Sequence, residues 1–166
     1  LTVVILDRPR HEQLIKEVRA AGARIRLIPD GDVAGALMTA MDNNPADLLM
    51  GVGGTPEGVL AAVGLRCMGG DIVGKLYPRN QHEIDLAKEM GIDINKPLAM
   101  NDLVASDNVF FAATGITTGD YLHGVTYFKD GARTDSVVMR GLSGTVRRVI
   151  STHKLSKLQR ISAIKY

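Results

Sequence analysis

Tryptophan is absent, and aromatic residues make up only 4% of the chain. That leaves no platform for stacking bases in the manner of single-strand-binding proteins. Nor is there a charge surplus to hold a polyanion. Twenty basic against 18 acidic residues leave a net charge of +2, and the basic residues are scattered except near the C-terminus. No nucleic-acid partner is expected. A single cysteine, Cys67, excludes an internal disulfide framework and suits a reducing compartment, so a cytoplasmic location is expected. No apolar run reaches the roughly 20 residues that span a bilayer, and no signal peptide is visible. No membrane partner is expected. A starting methionine is lacking as well: Leu1-Thr2-Val3-Val4-Ile5 reads at once as a buried strand. A domain that begins in mid-strand reads as part of a longer chain, whose remainder would hold part of any active site.

What is present is one domain's worth of chain. The 166 residues, 45% of them hydrophobic, suffice for a sizeable core, and no linker or internal repeat divides them. Residues 2–6 are short, β-branched and apolar on both faces, as a parallel strand buried on both sides requires. A helix follows to about Ala21, with Leu14, Ile15 and Val18 on one stripe and Gly22 as its C′ residue. Residues 24–29 give a second strand, and an Ala- and Met-rich helix runs to about Asp42. Asp47–Val52 gives a third strand, and a helix extends to about Met68. Three successive strand–loop–helix units predict a largely parallel sheet core built from right-handed βαβ units. Later segments add Asp71–Tyr77 as a strand candidate, a helix over Gln81–Met90 and a short helical turn at Asn101–Ala105. Strands are expected at Asn108–Thr114, Val125–Phe128, Asp135–Arg140 and Thr145–Ser151. The polar and basic Ser156–Tyr166 reads as a peripheral extension. The fold class expected is α/β, a single domain over residues 1–166.

In parallel sheets ligands bind beyond the carboxyl ends of the strands. The loops at those ends are Asp7–His11, Asp30–Asp32 and Gly53–Glu57, and they carry the most functional-looking residues. Arg8-Pro9-Arg10 puts two guanidiniums either side of a rigid proline. Cations are disfavoured at a helix start, so two of them want an anion, and their planar donors suit phosphate. The alternative is a pair of solvated arginines. Asp30-Gly31-Asp32 offers two carboxylates for sugar hydroxyls or a metal, or else simple turn chemistry with Asp32 as an N-cap.

The central stretch is Leu48–Gly58, where an apolar run ends in glycines. Thr55 is read as the N-cap of the next helix and Pro56 as its first residue. Free N–H groups at such a start favour a phosphate. A carboxylate beside that phosphate repels it unless a cation lies between, so Glu57 next to Gly53-Gly54 points to a bridging metal. Glu57 as a mere complement to the helix dipole is the other reading. His11, His82, His123 and His153 lack metal-ligand spacing. His11 is read as packed or solvated, a helping role at the phosphate being the alternative, and Cys67 as core. No Ser/His/Asp or Cys/His nucleophile arrangement is visible. The glycine spacing fits neither a dinucleotide fingerprint nor a GxxxxGK[ST] phosphate loop.

The combination Leu6-Asp7-Arg8-Pro9-Arg10-His11, Pro29-Asp30-Gly31-Asp32-Val33-Ala34 and Gly51-Val52-Gly53-Gly54-Thr55-Pro56-Glu57-Gly58 resembles class II fructose-1,6-bisphosphatases. Ser106-Asp107-Asn108-Val109, Ala113-Thr114-Gly115-Ile116-Thr117 and Arg140-Gly141-Leu142-Ser143-Gly144-Thr145-Val146-Arg147 match as well. The resemblance covers essentially the whole chain and aligns to the C-terminal half of that family. It implies a layered α/β sandwich of the lithium-sensitive sugar phosphatase kind. It implies hydrolysis of the 1-phosphate of fructose 1,6-bisphosphate in gluconeogenesis, with Mn²⁺ or Mg²⁺. By position, Arg8, Pro9, Arg10, Asp30, Gly31, Asp32 and Gly54 match substrate-binding residues, and Glu57 a metal ligand. No catalytic residue is expected on this chain, since those match the N-terminal half. The expected partners are fructose 1,6-bisphosphate, that missing half, and further copies in a homo-oligomer. A dual specificity for sedoheptulose 1,7-bisphosphate, or a non-catalytic sugar-phosphate-binding module, are the alternatives.

Overall fold

The structure, a computed structural model, describes residues 1–162. The last four residues of the expected basic extension lie outside them; within them that stretch forms a short helix, Leu155–Ile161.

Strands β1 (Thr2–Leu6), β2 (Arg24–Ile28) and β3 (Leu48–Leu49) form the expected parallel sheet, in the order β2-β1-β3. Helix α1 (Glu12–Ala20) follows β1 through a 3₁₀ turn at Pro9–His11, and α2 (Asp32–Met38) follows β2. Val3, Val4 and Ile5 are no more than 1% exposed because both faces of β1 are covered. Val3 and Ile5 pack with Ile15 and Val18 of α1, while α2 packs on β1 and β3. Ala21 caps α1, and Gly22 follows at φ 79°, the left-handed C′ residue read from the sequence.

Helix α3 (Thr55–Met68) lies against α2. Gly64 permits this, since a Cβ there would fall on Leu37 Cδ2. Three short elements and one longer helix come next: β4 (Val73–Gly74), α4 (Gln81–Glu89), β5 (Leu98–Ala99) and α5 (Met100–Leu103). The chain closes with β6 (Phe110–Thr114), β7 (Thr126–Phe128), β8 (Gly131–Arg140) and β9 (Thr145–Lys154), an antiparallel sheet in which β8 pairs with the other three. Ala36 and Leu37 of α2, Ala61, Leu65 and Cys67 of α3, and Phe111, Val137 and Met139 of the antiparallel sheet make one buried cluster. Cys67, 1% exposed, is core as expected. The protein is thus mixed α/β, a parallel three-stranded sheet with antiparallel sheets. Among the described residues no helix is long and apolar enough to cross a membrane.

Four expectations need correction. The strand expected over Asp47–Val52 pairs only at Leu48–Leu49, because after Met50 N–H reaches the Val4 carbonyl the backbone leaves for the glycine loop. The helix expected to Asp42 ends at Met38; Thr39, Ala40 and Met41 bond back to carbonyls three residues earlier, tightening the turn. The strand expected over Asp71–Tyr77 is only Val73–Gly74, antiparallel to β5, a strand with no sequence signal. Strands β8 and β9 run further than expected, to Gly131 and Lys154, because each supplies the other's ladder over its full length.

The antiparallel sheet buries one carboxylate, Asp135, at 4% exposed. It accepts hydrogen bonds from Arg148 Nε at 2.8 Å, from Arg148 Nη2, and from the His123 backbone N–H at 2.9 Å. These bonds to the charged form, the arginine's foremost, hold its pKa down to about 2 from an ordinary 3.8. The folded value lies below the unfolded one. The carboxylate therefore adds stability above about pH 3.8, which is lost as the pH falls toward 2. Asp135→Asn should lower the melting temperature at neutral pH, and the gap to the parent protein should close on acidification. A gap that persists unchanged down to pH 2 in paired melting curves would contradict this.

Candidate functional site

Parallel pairing points the carboxyl ends of β1, β2 and β3 to one edge of the sheet, and the three loops gather there. Asp7 N–H donates to the Ile28 carbonyl at 2.8 Å, tying the first loop to the end of β2, just before the second. Arg10 Nε donates to the Val52 carbonyl at 2.7 Å, tying the first to the third. His11, in the same turn as Arg10, is 1% exposed and contacts both Leu6 and Val52. It is packed, not solvated.

The two acidic side chains, Asp32 and Glu57, reach adjacent glycines. A Cβ on Gly53 would meet Asp32 Oδ2 at 3.1 Å, and one on Gly54 would fall on Glu57 Oε2. Glycine at both positions lets the two carboxylates lie where they do; a side chain there would push them aside. Arg10, Asp32, Gly54 and Glu57 are thereby brought to one short stretch of loop. Arg8, in the first loop, is half-buried, with Nη1 donating to the Asp7 carbonyl at 3.0 Å. Pro9, Asp30 and Gly31 are exposed in the first and second loops.

Both helix starts differ from expectation by one residue. Gly54, not Thr55, is the N-cap of α3; Thr55 is the first helical residue and Pro56 the second, and no side chain caps the helix. Gly31, at φ 79°, is the N-cap of α2, a left-handed conformation that a side chain would strain. Asp32 is the first residue of α2, and its Oδ1 accepts from Val33 N–H at 3.0 Å. The missing cap on α3 leaves its first N–H groups facing the loop where an anion is favoured. The fixed Nε of Arg10 leaves its two terminal nitrogens for the same anion.

Two carboxylates close to an anion site call for a cation. A hard divalent ion takes about six or more oxygen donors. Among the described residues no three His, Cys, Asp or Glu side chains are grouped to hold a metal. Glu57 fits such an ion as one oxygen donor of a shell whose other donors come from elsewhere. Sequence reasoning missed the pivot of this arrangement, the backbone of Val52. A main-chain group carries no residue-type signal, and only the position of His11 next to Arg10 hinted at it.

The family described as bacterial fructose-1,6-bisphosphatase, glpX-encoded, matches residues 1–153. The class 2 fructose-1,6-bisphosphatase of Haemophilus influenzae is 41% identical over 97% of this chain and 52% of its own length. The fructose-1,6-bisphosphatase 1 class 2 of Escherichia coli K12 is 41% identical over 95% of this chain and 51% of its own. The chain spans about half the length of these curated relatives. With the family's model matching residues 1–153 of its 166, the chain belongs to the class 2 fructose-1,6-bisphosphatases.

Proposed function

We propose that this chain is the substrate-binding, C-terminal half of a metal-dependent fructose-1,6-bisphosphatase. The whole enzyme would hydrolyse the 1-phosphate of fructose 1,6-bisphosphate to fructose 6-phosphate, a reaction of gluconeogenesis, in the cytoplasm. The observation that carries this reading is the convergence of Arg10, Asp32 and Glu57 on the successive residues Val52, Gly53 and Gly54 at the carboxyl edge of the parallel sheet. That edge offers cationic donors, an uncapped helix start and acidic acceptors together, the set a sugar phosphate with an accompanying cation needs. Arg8, Pro9 and Arg10 would grip a phosphate. Asp30, Gly31 and Asp32 would take sugar hydroxyls, and Gly54 would offer a close backbone approach. Glu57 would contribute one oxygen to a Mn²⁺ or Mg²⁺ ion, which when bound neutralises phosphate charge and lowers the pKa of water. Residues 1–166 would form a single domain, with α1, the parallel sheet, α2 with α3, and the antiparallel sheet as successive layers of a lithium-sensitive-phosphatase sandwich. In the assembled enzyme this half would recur in a homo-oligomer.

A second reading has its own observation. With no group of three metal-binding side chains among the described residues, the chain alone would act as a sugar-phosphate-binding module. Nothing in the three loops rejects sedoheptulose 1,7-bisphosphate, so dual specificity stands as a variant of the first reading.

Arg10→Ala tests the grip. A guanidinium on a phosphate that does not react holds ground state and transition state alike. KM for fructose 1,6-bisphosphate should therefore rise with kcat nearly unchanged, by the about 1.5–3 kcal/mol of a charge-assisted contact. Steady-state kinetics on the full-length enzyme decide it. An unchanged KM with a collapsed kcat would place the arginine on the reacting phosphate instead.

A further inference from the structure

His11 is a buried polar side chain in the turn directly after Arg10, at 1% exposure. Its Nδ1 lies 2.8 Å from the Leu6 carbonyl oxygen, which can only accept, so Nδ1 carries the proton. Nε2 is then an acceptor and takes the Val52 N–H at 2.9 Å. Nε2 also lies 3.2 Å from the Val52 carbonyl oxygen, but without a proton it cannot donate there. That oxygen accepts from Arg10 Nε instead, at 2.7 Å. Two adjacent residues of one turn thus hold both backbone groups of Val52. The loop also passes close against the ring: a Cβ on Gly51 would meet Cε1 and Nε2 at 3.2 Å each.

An imidazole with both nitrogens engaged by backbone has none left for a substrate. It is a rigid strut, with no torsion between its two hydrogen bonds. One end stands on the last residue of β1, the other on the loop that leads into α3. We propose that His11 is a positioning residue: it fastens the glycine loop to the end of β1 and so sets the spacing between Arg10 and Gly54. The proposal rests on the reading of Arg10 and Gly54 as substrate contacts. A strut of this kind acts on substrate binding without touching substrate, because a loop held in register loses less freedom when the phosphate arrives.

The test uses the full-length enzyme and three variants beside Arg10→Ala. His11→Asn keeps a donor where Nδ1 stands and loses the acceptor at Nε2. His11→Gln puts an amide oxygen near the place of Nε2. Gly51→Ala leaves the imidazole intact and pushes it away from Val52. For loss of one buried hydrogen bond, His11→Asn and Gly51→Ala should raise KM about tenfold with kcat within about twofold. His11→Gln should recover most of that loss. A merely structural histidine would instead give lower melting temperatures in both His11 variants with KM unmoved, and that result overturns the proposal. Gly51→Ala keeps the test decisive if His11→Asn does not fold. If Arg10→Ala itself leaves KM unchanged, the substrate reading fails and the proposal falls with it. If Arg10→Ala raises KM while Gly51→Ala and His11→Asn do not, the positioning role alone is overturned.

Discussion

Glu57→Gln in the full-length enzyme is expected to lose nearly all turnover while the fold survives. The side chain is exposed in the first turn of α3, folded back over Gly54. The helix is held farther along, through Ala61, Ala62, Leu65 and Cys67, each no more than 6% exposed. The amide keeps the size of the carboxylate and can still accept a hydrogen bond. It loses the negative charge a hard divalent cation requires. If Glu57 only complemented the helix dipole, the same change would remove about 0.3–1 kcal/mol of stability and leave catalysis alone. An activity titration against Mn²⁺, paired with thermal melting, separates the two. A large loss partly recovered by excess metal places Glu57 in the metal shell. Normal activity at ordinary metal concentrations, with a slightly lower melting temperature, leaves it a dipole partner.

The parts legible in the sequence were those written in local signals. Val3-Val4-Ile5 announces a strand buried on both faces, and it is one. The stripe Leu14, Ile15, Val18 and the glycine at position 22 delimit α1 almost to the residue. The three loops could be named because βαβ alternation fixes which strand ends face together, and the structure joins them through Val52, Gly53 and Gly54. What failed was set by partners distant in sequence. β5 exists only because Val73–Gly74 needs a neighbour, and two residues carry no pattern. The length of β8 comes from β9, and the burial of Asp135 from Arg148 thirteen residues on. The caps of α2 and α3 slipped by one because glycine takes the cap position in each, with no side chain to announce it. The role of His11 was beyond reach for a similar reason, since both its partners are backbone atoms.

The second large effect expected is the absence of bisphosphatase activity in the 166-residue chain by itself. Hydrolysis of a phosphate monoester by metal ions needs several oxygen donors to place the ions and a group to orient water. Among the described residues no three acidic groups are clustered for that, and Glu57 is the one donor proposed above for a metal. The relatives that carry the class 2 bisphosphatase name are about twice as long as the part matched here. The chain should therefore hold fructose 1,6-bisphosphate without turning it over. The most direct test of the proposed division of labour is phosphate release from fructose 1,6-bisphosphate in Mn²⁺. It would be measured for this chain alone, and again after the N-terminal half of a class 2 enzyme is supplied. The account predicts background release from the chain alone and activity when both halves are present. Release by the chain alone at a rate comparable to the full-length enzyme would contradict it.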